Sequence, residues 1–244
     1  MENFKLTIQY DGTNYHGWQT QPNTRTVQAE LTTVLTLLDH RPVTIHGAGR
    51  TDAGVHAEGQ VASVLIERNF DPVDLRDAIN GNLDRDIRVL KAELTSEDFN
   101  ARFSAKLKTY RYRIWTGDVV SPFDYRYVHH YRGPLDVEKM RRAAAALIGV
   151  HDFSAFTVAD SEAVDRVRAL NKLDIQHEAN EISIVAAANG FLRYMVRTIV
   201  GTLIDVGRGS RTAASMADTL QSRDRENAGP TAPARGLTLI RVDY

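Results

Sequence analysis

Phe4, Leu6, Ile8 and Tyr10 alternate with Lys5, Thr7 and Gln9, a period of two that buries one face of an extended strand and wets the other. The same period returns over 109–115, where Tyr110, Tyr112 and Ile114 alternate with Arg111 and Arg113. Helical spacing lies between them. Val27, Leu31, Val34, Leu35 and Leu38 share one face behind Thr24 or Thr26 as cap, and Asp71 and Pro72 open a short helix through Leu75 and Ile79 that Gly81 can close. Residues 61–66, nearly all apolar, predict a central strand, and 87–94 another.

In the second half, 117–134 reads as a long loop, and Val137, Met140, Ala144, Leu147 and Ile148 as a helix. Strands follow around 167–175 and 182–186, then a helix over about 191–206 with a wide apolar stripe. Thr212 caps a short helix through Met216 and Leu220, and 236–244 closes the chain as a strand. Short connections and alternating strand faces favour an α+β fold with a largely antiparallel sheet. A parallel doubly wound sheet is the alternative, unsupported by any Gly-x-Gly-x-x-Gly or phosphate-loop lysine motif.

The 244 residues suffice for one large domain or two packed halves. The chain has no cysteine, which excludes disulfides and thiolate chemistry and leaves zinc only His, Asp and Glu as ligands. Neither a signal peptide nor a stretch of roughly 20 apolar residues is visible, so a soluble, cytoplasmic protein without a membrane span is expected. The net charge of -1 conceals a bias among the cations, in which arginine, with its planar phosphate-matching fork, outnumbers lysine roughly four to one.

Residues 49–57 lie between the first helix and the apolar strand and place one acid, Asp52, among small, turn-forming neighbours. Gly49 and Gly54 permit crowded or left-handed backbone, so this loop can bring Asp52 close to a ligand, with Arg50 and His56 beside it. Asp and Gly also form turns of no function, and His46, Asp52 and His56 can be read as metal ligands, although their spacing matches no standard pattern. No serine sits in a nucleophile-elbow sequence.

Two further stretches could join Asp52. Between 100 and 113, Arg102, Lys106, Lys108, Arg111 and Arg113 interleave with Phe103, Tyr110 and Tyr112. Cations track phosphates and aromatic faces stack on unpaired bases, a mixture suited to RNA; it also describes a strand with charges outward and aromatics in the core. Arg193 and Arg197, spaced i, i+4, are expected on one side of the long helix, where Arg197 either meets a carboxylate or phosphate or bends into solvent. A lone carboxylate near an arginine suits nucleophilic or proton-transfer work on a nucleoside, and the paired acids of glycosidases are not evident.

The block Gly49-Arg50-Thr51-Asp52-Ala53-Gly54-Val55-His56 resembles the signature of the tRNA pseudouridine synthase A family. The resemblance extends to Tyr10-Asp11-Gly12-Thr13 with Gly17-Trp18-Gln19, Thr26-Val27-Gln28, Ala101-Arg102-Phe103-Ser104-Ala105 and Tyr110-Arg111-Tyr112, then His151-Asp152-Phe153, Met195-Val196-Arg197 and Ala234-Arg235-Gly236-Leu237, nearly the whole chain. It implies Asp52 as catalytic nucleophile, Tyr110 as the aromatic that stacks on the target uracil and could serve in proton transfer, and Arg197 as the salt-bridge partner of Asp52. Leu237 would wall the pocket, and Arg50, Arg102, Lys106 and Arg111 would contact the RNA backbone.

The implied reaction isomerises uridine to pseudouridine at positions 38, 39 and 40 of the tRNA anticodon stem-loop, with no cofactor and no metal. Attack of Asp52 on the base, attack on the sugar and removal of a ribose proton all remain open. The implied architecture is a homodimer of two-half subunits sharing an antiparallel sheet, with the active-site cleft between the halves. Residues 1–105 would carry the Asp loop, and 106–244 the stacking Tyr and the Arg helix. Segment 157–168 departs from the family pattern by lacking the expected glycine or cysteine and carrying acids, poor neighbours for phosphate. A non-catalytic RNA-binding protein and a nucleoside hydrolase releasing free uracil are the competing readings.

Overall fold

The computed structural model describes residues 1–158 and 164–244, so 159–163, within the departing segment 157–168, lie outside the described residues. The chain forms two units, Met1–Lys106 with Leu239–Tyr244, and Leu107–Thr238.

In the first unit, β1 (Glu2–Tyr10) leads to α1 (Val27–Asp39), β2 (Ile45–Gly47), β3 (His56–Ile66), α2 (Pro72–Asn82) and β4 (Ile87–Thr95). β1 is flanked by β4 and β3, both antiparallel, and β2 pairs antiparallel with β3. Phe4, Leu6 and Ile8 are fully buried on the face the alternation predicts. β3 runs five residues upstream of the expected 61–66 and lacks alternation because both of its faces are covered. Val61 packs with Ala48 and Ala101 in a second cluster, flanked by Phe99, Val242 and Tyr244.

Thr26, not Thr24, caps α1, its hydroxyl accepting from Ala29 N at 3.3 Å. At the other end the buried Asp39 carboxylate accepts from Glu67 N and Arg68 N, each at 2.9 Å, and from Arg41 Nε at 2.6 Å, which ties α1 to the end of β3. Asp71 caps α2 through Val73 N at 2.9 Å. Gly81 does not close α2, which continues to Asn82 and ends at Leu83 in extended backbone.

The second unit contains β5 (Leu107–Trp115), β6 (His129–His130), α3 (Val137–Ala145), β7 (Gly149–Asp152), β8 (Val167–Glu178), β9 (Glu181–Ala188), α4 (Met195–Gly207) and α5 (Ser215–Ser222). Its strands run β5-β9-β8-β7, antiparallel, with β6 parallel to β5. The final strand, β10 (Leu237–Asp243), begins in this unit, and its residues from Leu239 onward lie in the first, next to β3. The fold class is therefore α+β with a mostly antiparallel sheet, as the alternating strand faces predict.

Four expectations change here. α3 stops at Ala145, and Leu147 N closes a tighter turn on Ala144 O at 3.0 Å. β6 and β7, of two and four residues, are too short to leave a period. Thr212 accepts from Ser215 N at 3.2 Å, so its hydroxyl holds the turn before α5. Most consequentially, α4 starts at Met195 and not near 191, because Tyr194 adopts left-handed backbone at φ 62°. Arg193 therefore precedes the helix and does not share a helical face with Arg197. Within α4 all residues but Arg197 are buried. Among the described residues no helix is long and apolar enough to cross a membrane.

His129 of β6 lines a cavity of about 240 Å³ with Tyr131, Asp205 and Arg208. Burial, then the charges of Arg235 and His130, push its pKa down to about 4. The unfolded chain, with its ordinary pKa of about 6.5, binds this proton more readily than the native state, so stability rises with pH between about 4 and 6.5 and is lost as pH falls through that window. His129 is only half-buried, so solvent screening reduces the effect to about 1–2 kcal/mol. Denaturant melts of wild type and His129→Gln from pH 7.5 to 4.5 should show a shallower acid-side decline for the variant; equal slopes would discount the histidine.

Candidate active site

Asp52 begins a turn closed by Val55 N donating to Asp52 O at 3.1 Å, with Gly54 at φ 77°. Segment 10–19 grips the turn. Trp18 N donates to Thr51 O at 3.1 Å, Gly54 N to Tyr15 O at 3.2 Å, and Gly12 N to His56 Nδ1 at 3.0 Å. The contact is too close for side chains: a Cβ on Gly12 would lie 2.0 Å from Val55 O, and one on Gly17, itself at φ 88°, 2.4 Å from Thr51 O.

Polar side chains in the core secure the approach to Asp52 from inside. The Tyr10 hydroxyl meets Thr51 Oγ1 at 2.8 Å, while Gln60 Nε2 donates to Gly49 O at 2.9 Å and Gln60 Oε1 accepts from Val61 N at 3.2 Å. Tyr10 and Gln60 are 3% and 0% exposed, a burial that polar groups tolerate only when bonded. Burial pushes the Tyr10 phenol up to about 12, so it stays protonated and acts as a hydrogen-bonding strut. Backbone on both sides of Asp52 is thus set by the fold, leaving its half-buried carboxylate presented from a fixed frame.

Tyr110 and Arg197, the other expected catalytic residues, and Leu237, the expected pocket wall, lie in the second unit. The strand period puts Tyr110 and Tyr112 on one face of β5 and Arg111 and Arg113 on the other. Tyr110 is 7% exposed, opposite the small Ala186 of β9, and its ring meets Phe191 edge-on at 5.2 Å. The Tyr112 hydroxyl donates to Pro233 O at 2.8 Å. Arg197 occupies the first turn of α4, where its Nε donates to Ala232 O at 2.8 Å and its own carbonyl accepts from Ala232 N at 3.0 Å. Its guanidinium also lies 5.1 Å from the Tyr194 ring centroid, a cation–π contact. Arg197 is thus half-buried and held. Leu237, at the start of β10, is buried.

Arg50 is exposed, its Nε donating to Gln19 Oε1 at 3.1 Å, and Arg102 and Lys106 are exposed as well. Arg111 is half-buried on the face of β5 opposite Tyr110. Arg113 is taken up structurally: Glu181 accepts two hydrogen bonds from it at 2.8 Å, and Asp124 one at 3.3 Å. Among the described residues no three His, Asp or Glu side chains are grouped to hold a metal ion. Tyr10, Trp18, Gln60 and His56 support the Asp52 turn without any periodicity that announces it. The only available signal was their position in or near the small-residue blocks.

The model of tRNA pseudouridine synthases matches residues 6–104 and 143–244. The tRNA pseudouridine synthase A of Limosilactobacillus reuteri is 42% identical over 249 aligned residues, covering 100% of this chain and 97% of its own. The protein of the same name from Halalkalibacterium halodurans is 46% identical, covering 97% and 90%. A solved Cbf5-Nop10-Gar1 complex aligns at 10% identity and a TM-score of 0.36 over 96% of this chain and 57% of that one, too distant to bear on the argument. The chain belongs to the tRNA pseudouridine synthase family. Asp52, Arg197 and Leu237 fall inside the matched residues, whereas Lys106, Tyr110 and Arg111 fall in the interval between them.

The support of Arg197 makes a local prediction. Loop 229–233 crosses α4 so closely that a Cβ on Gly201 would lie 1.7 Å from Pro230 O. Gly201→Ala should therefore push the loop, and with it Ala232, off the helix at a cost of about 1–3 kcal/mol. Thermal unfolding followed by circular dichroism should show a lower midpoint; an unchanged midpoint would mean that the loop yields freely.

Proposed function

We propose that this protein isomerises uridine to pseudouridine in tRNA, at positions 38, 39 and 40 of the anticodon stem-loop, as a cytoplasmic homodimer. The observation that carries the reading is the Asp52 turn, an acid held by backbone on both sides in a chain related over its full length to enzymes named tRNA pseudouridine synthase A. The uridine is flipped out of the RNA stack. Its bond from ribose C1′ to N1 breaks, the uracil turns, C1′ joins C5, the proton on C5 leaves and N1 takes one up. No electrons are gained or lost overall, so no cofactor is required.

Asp52 is the nucleophile in this proposal, and Arg197 is its partner, since a guanidinium beside a carboxylate favours the anion. Tyr110 stacks on the uracil, a role suited to a ring held edge-on by Phe191. Leu237 supplies an apolar wall. Arg50, Arg102, Lys106 and Arg111 contact the RNA backbone, and the exposure of Arg50, Arg102 and Lys106 suits that task.

Tritium release from C5-labelled uracil in anticodon stem-loop RNA reads the reaction directly. Wild type should release tritium and no free uracil, whereas Asp52→Ala should lose about 10⁴-fold or more in rate while binding RNA. Arg197→Met should lose about 10²-fold. Product from the Asp52 variant would sink its role, and a near-wild-type rate for Arg197→Met would refute the ion pair.

Replacing Arg102 and Lys106 together by Gln should weaken binding and flatten the dependence of log K on log salt by about 1.5, the contribution of two phosphate contacts. An unchanged slope would remove these cations from the RNA interface.

A further inference from the structure

Residues 100–104 form a turn anchored more firmly than an exposed loop requires. Asn100 Oδ1 accepts from Arg102 N at 2.9 Å and Phe103 N at 3.2 Å, Ser104 N donates to Asn100 O at 2.9 Å, and Ser104 Oγ accepts from Asn100 N at 3.2 Å. The same turn is bound to the body of the first unit. Ala101 N donates to Ser63 Oγ of β3 at 3.1 Å, Ala101 O accepts from the Tyr244 hydroxyl at 2.9 Å, and Lys106 N donates to Asp243 O at 2.8 Å. Ala101 itself is fully buried.

On this rigid base stands Phe103, 80% exposed. The Arg102 guanidinium lies 5.5 Å from the centroid of its ring. A large aromatic held out into water gains nothing for the fold, since it buries little area, and an ordered base under it removes the usual explanation of a loose loop. The ring has an open π-face at low entropic cost, and its neighbours Arg102 and Lys106 are exposed cations. Aromatic face and cations on one short turn match an unpaired nucleobase with its flanking phosphates.

We propose that Phe103 is an RNA-binding residue that stacks on an unpaired base of the tRNA while Arg102 engages the adjacent phosphate. The proposal rests on the reading of this protein as a tRNA-modifying enzyme and adds a base contact outside the reacting uridine. It accounts for the anchoring, because stacking needs a ring in fixed orientation, and for the exposure, because the partner is the RNA. A second copy of the chain covering the ring is the competing occupant.

Phe103→Leu and Phe103→Trp test it in the full-length protein. Leucine keeps apolar surface and lacks the π-face, and at so exposed a position neither change threatens folding. Phe103→Leu should weaken binding of anticodon stem-loop RNA and lower kcat/KM, each about tenfold, with an unchanged melting midpoint. Phe103→Trp should bind like wild type, and its added indole fluorescence should be quenched by the RNA. Wild-type affinity in the leucine variant, or an unquenched indole at saturating RNA, would overturn the proposal. Dissociation of the Phe103→Leu oligomer in sedimentation would do so too, by assigning the ring to a second copy. Tritium release by wild type separates the two levels. Its absence would refute the isomerase reading, whereas release together with an unquenched indole would refute only the stacking contact.

Discussion

The backbone of residues 12–18 lies against that of residues 51–55 at a distance only glycine allows, and the functional reading of the first unit depends on that contact. Loops are ordinarily where a reactive side chain is least fixed. Here the loop is gripped from outside by hydrogen bonds to Trp18, Tyr15 and Gly12, and from inside by Tyr10 and Gln60 rising from β1 and β3. The cost of orienting Asp52 is met once, in folding, so orientation need not be regained in each turnover. Two core positions that could have been apolar, Tyr10 and Gln60, are instead polar and satisfied, which makes sense for strands that must hold a loop as well as pack.

The second unit applies the same device to an arginine. α4 is buried almost all round, and the loop that crosses it is fastened at Gly201, at Thr202 through Gly229 N at 2.9 Å, and at Arg197 through Ala232. Tyr112 pins the same loop from β5 through Pro233. The Arg197 guanidinium is therefore located by a carbonyl of this fastened loop and by the Tyr194 ring. Arg113 shows the contrast: a cation of the same type, two positions along the strand from Arg111, is consumed by Glu181 and Asp124 and stabilises the sheet.

Long elements were legible where one face is buried and the other wet. β1, β5 and α1 show their periods, and Thr26 and Asp71 cap as their side chains predict. The failures have physical causes. β6 and β7 are held by neighbours rather than by their own pattern. α4 begins late because Tyr194 takes a backbone conformation that apolar spacing cannot report, and that single residue removes Arg193 from the helix. Gly81 sits inside α2 because no left-handed residue is needed there.

The sequence by itself determined the α+β class, the lack of thiol chemistry and the isolation of Asp52 among glycines, because these follow from periodicity, composition and local turn chemistry. Its resemblance to one family also marked Arg197 and Tyr110. Only the tertiary structure decided which polar residues serve Asp52 and which arginines are spent on the fold. Tyr10 and Gln60 reach the Asp52 loop, and Arg113 reaches Glu181, across separations of 41, 11 and 68 residues. Such pairings are created when strands align and the chain closes on itself, and they leave no period along the sequence for either partner to show.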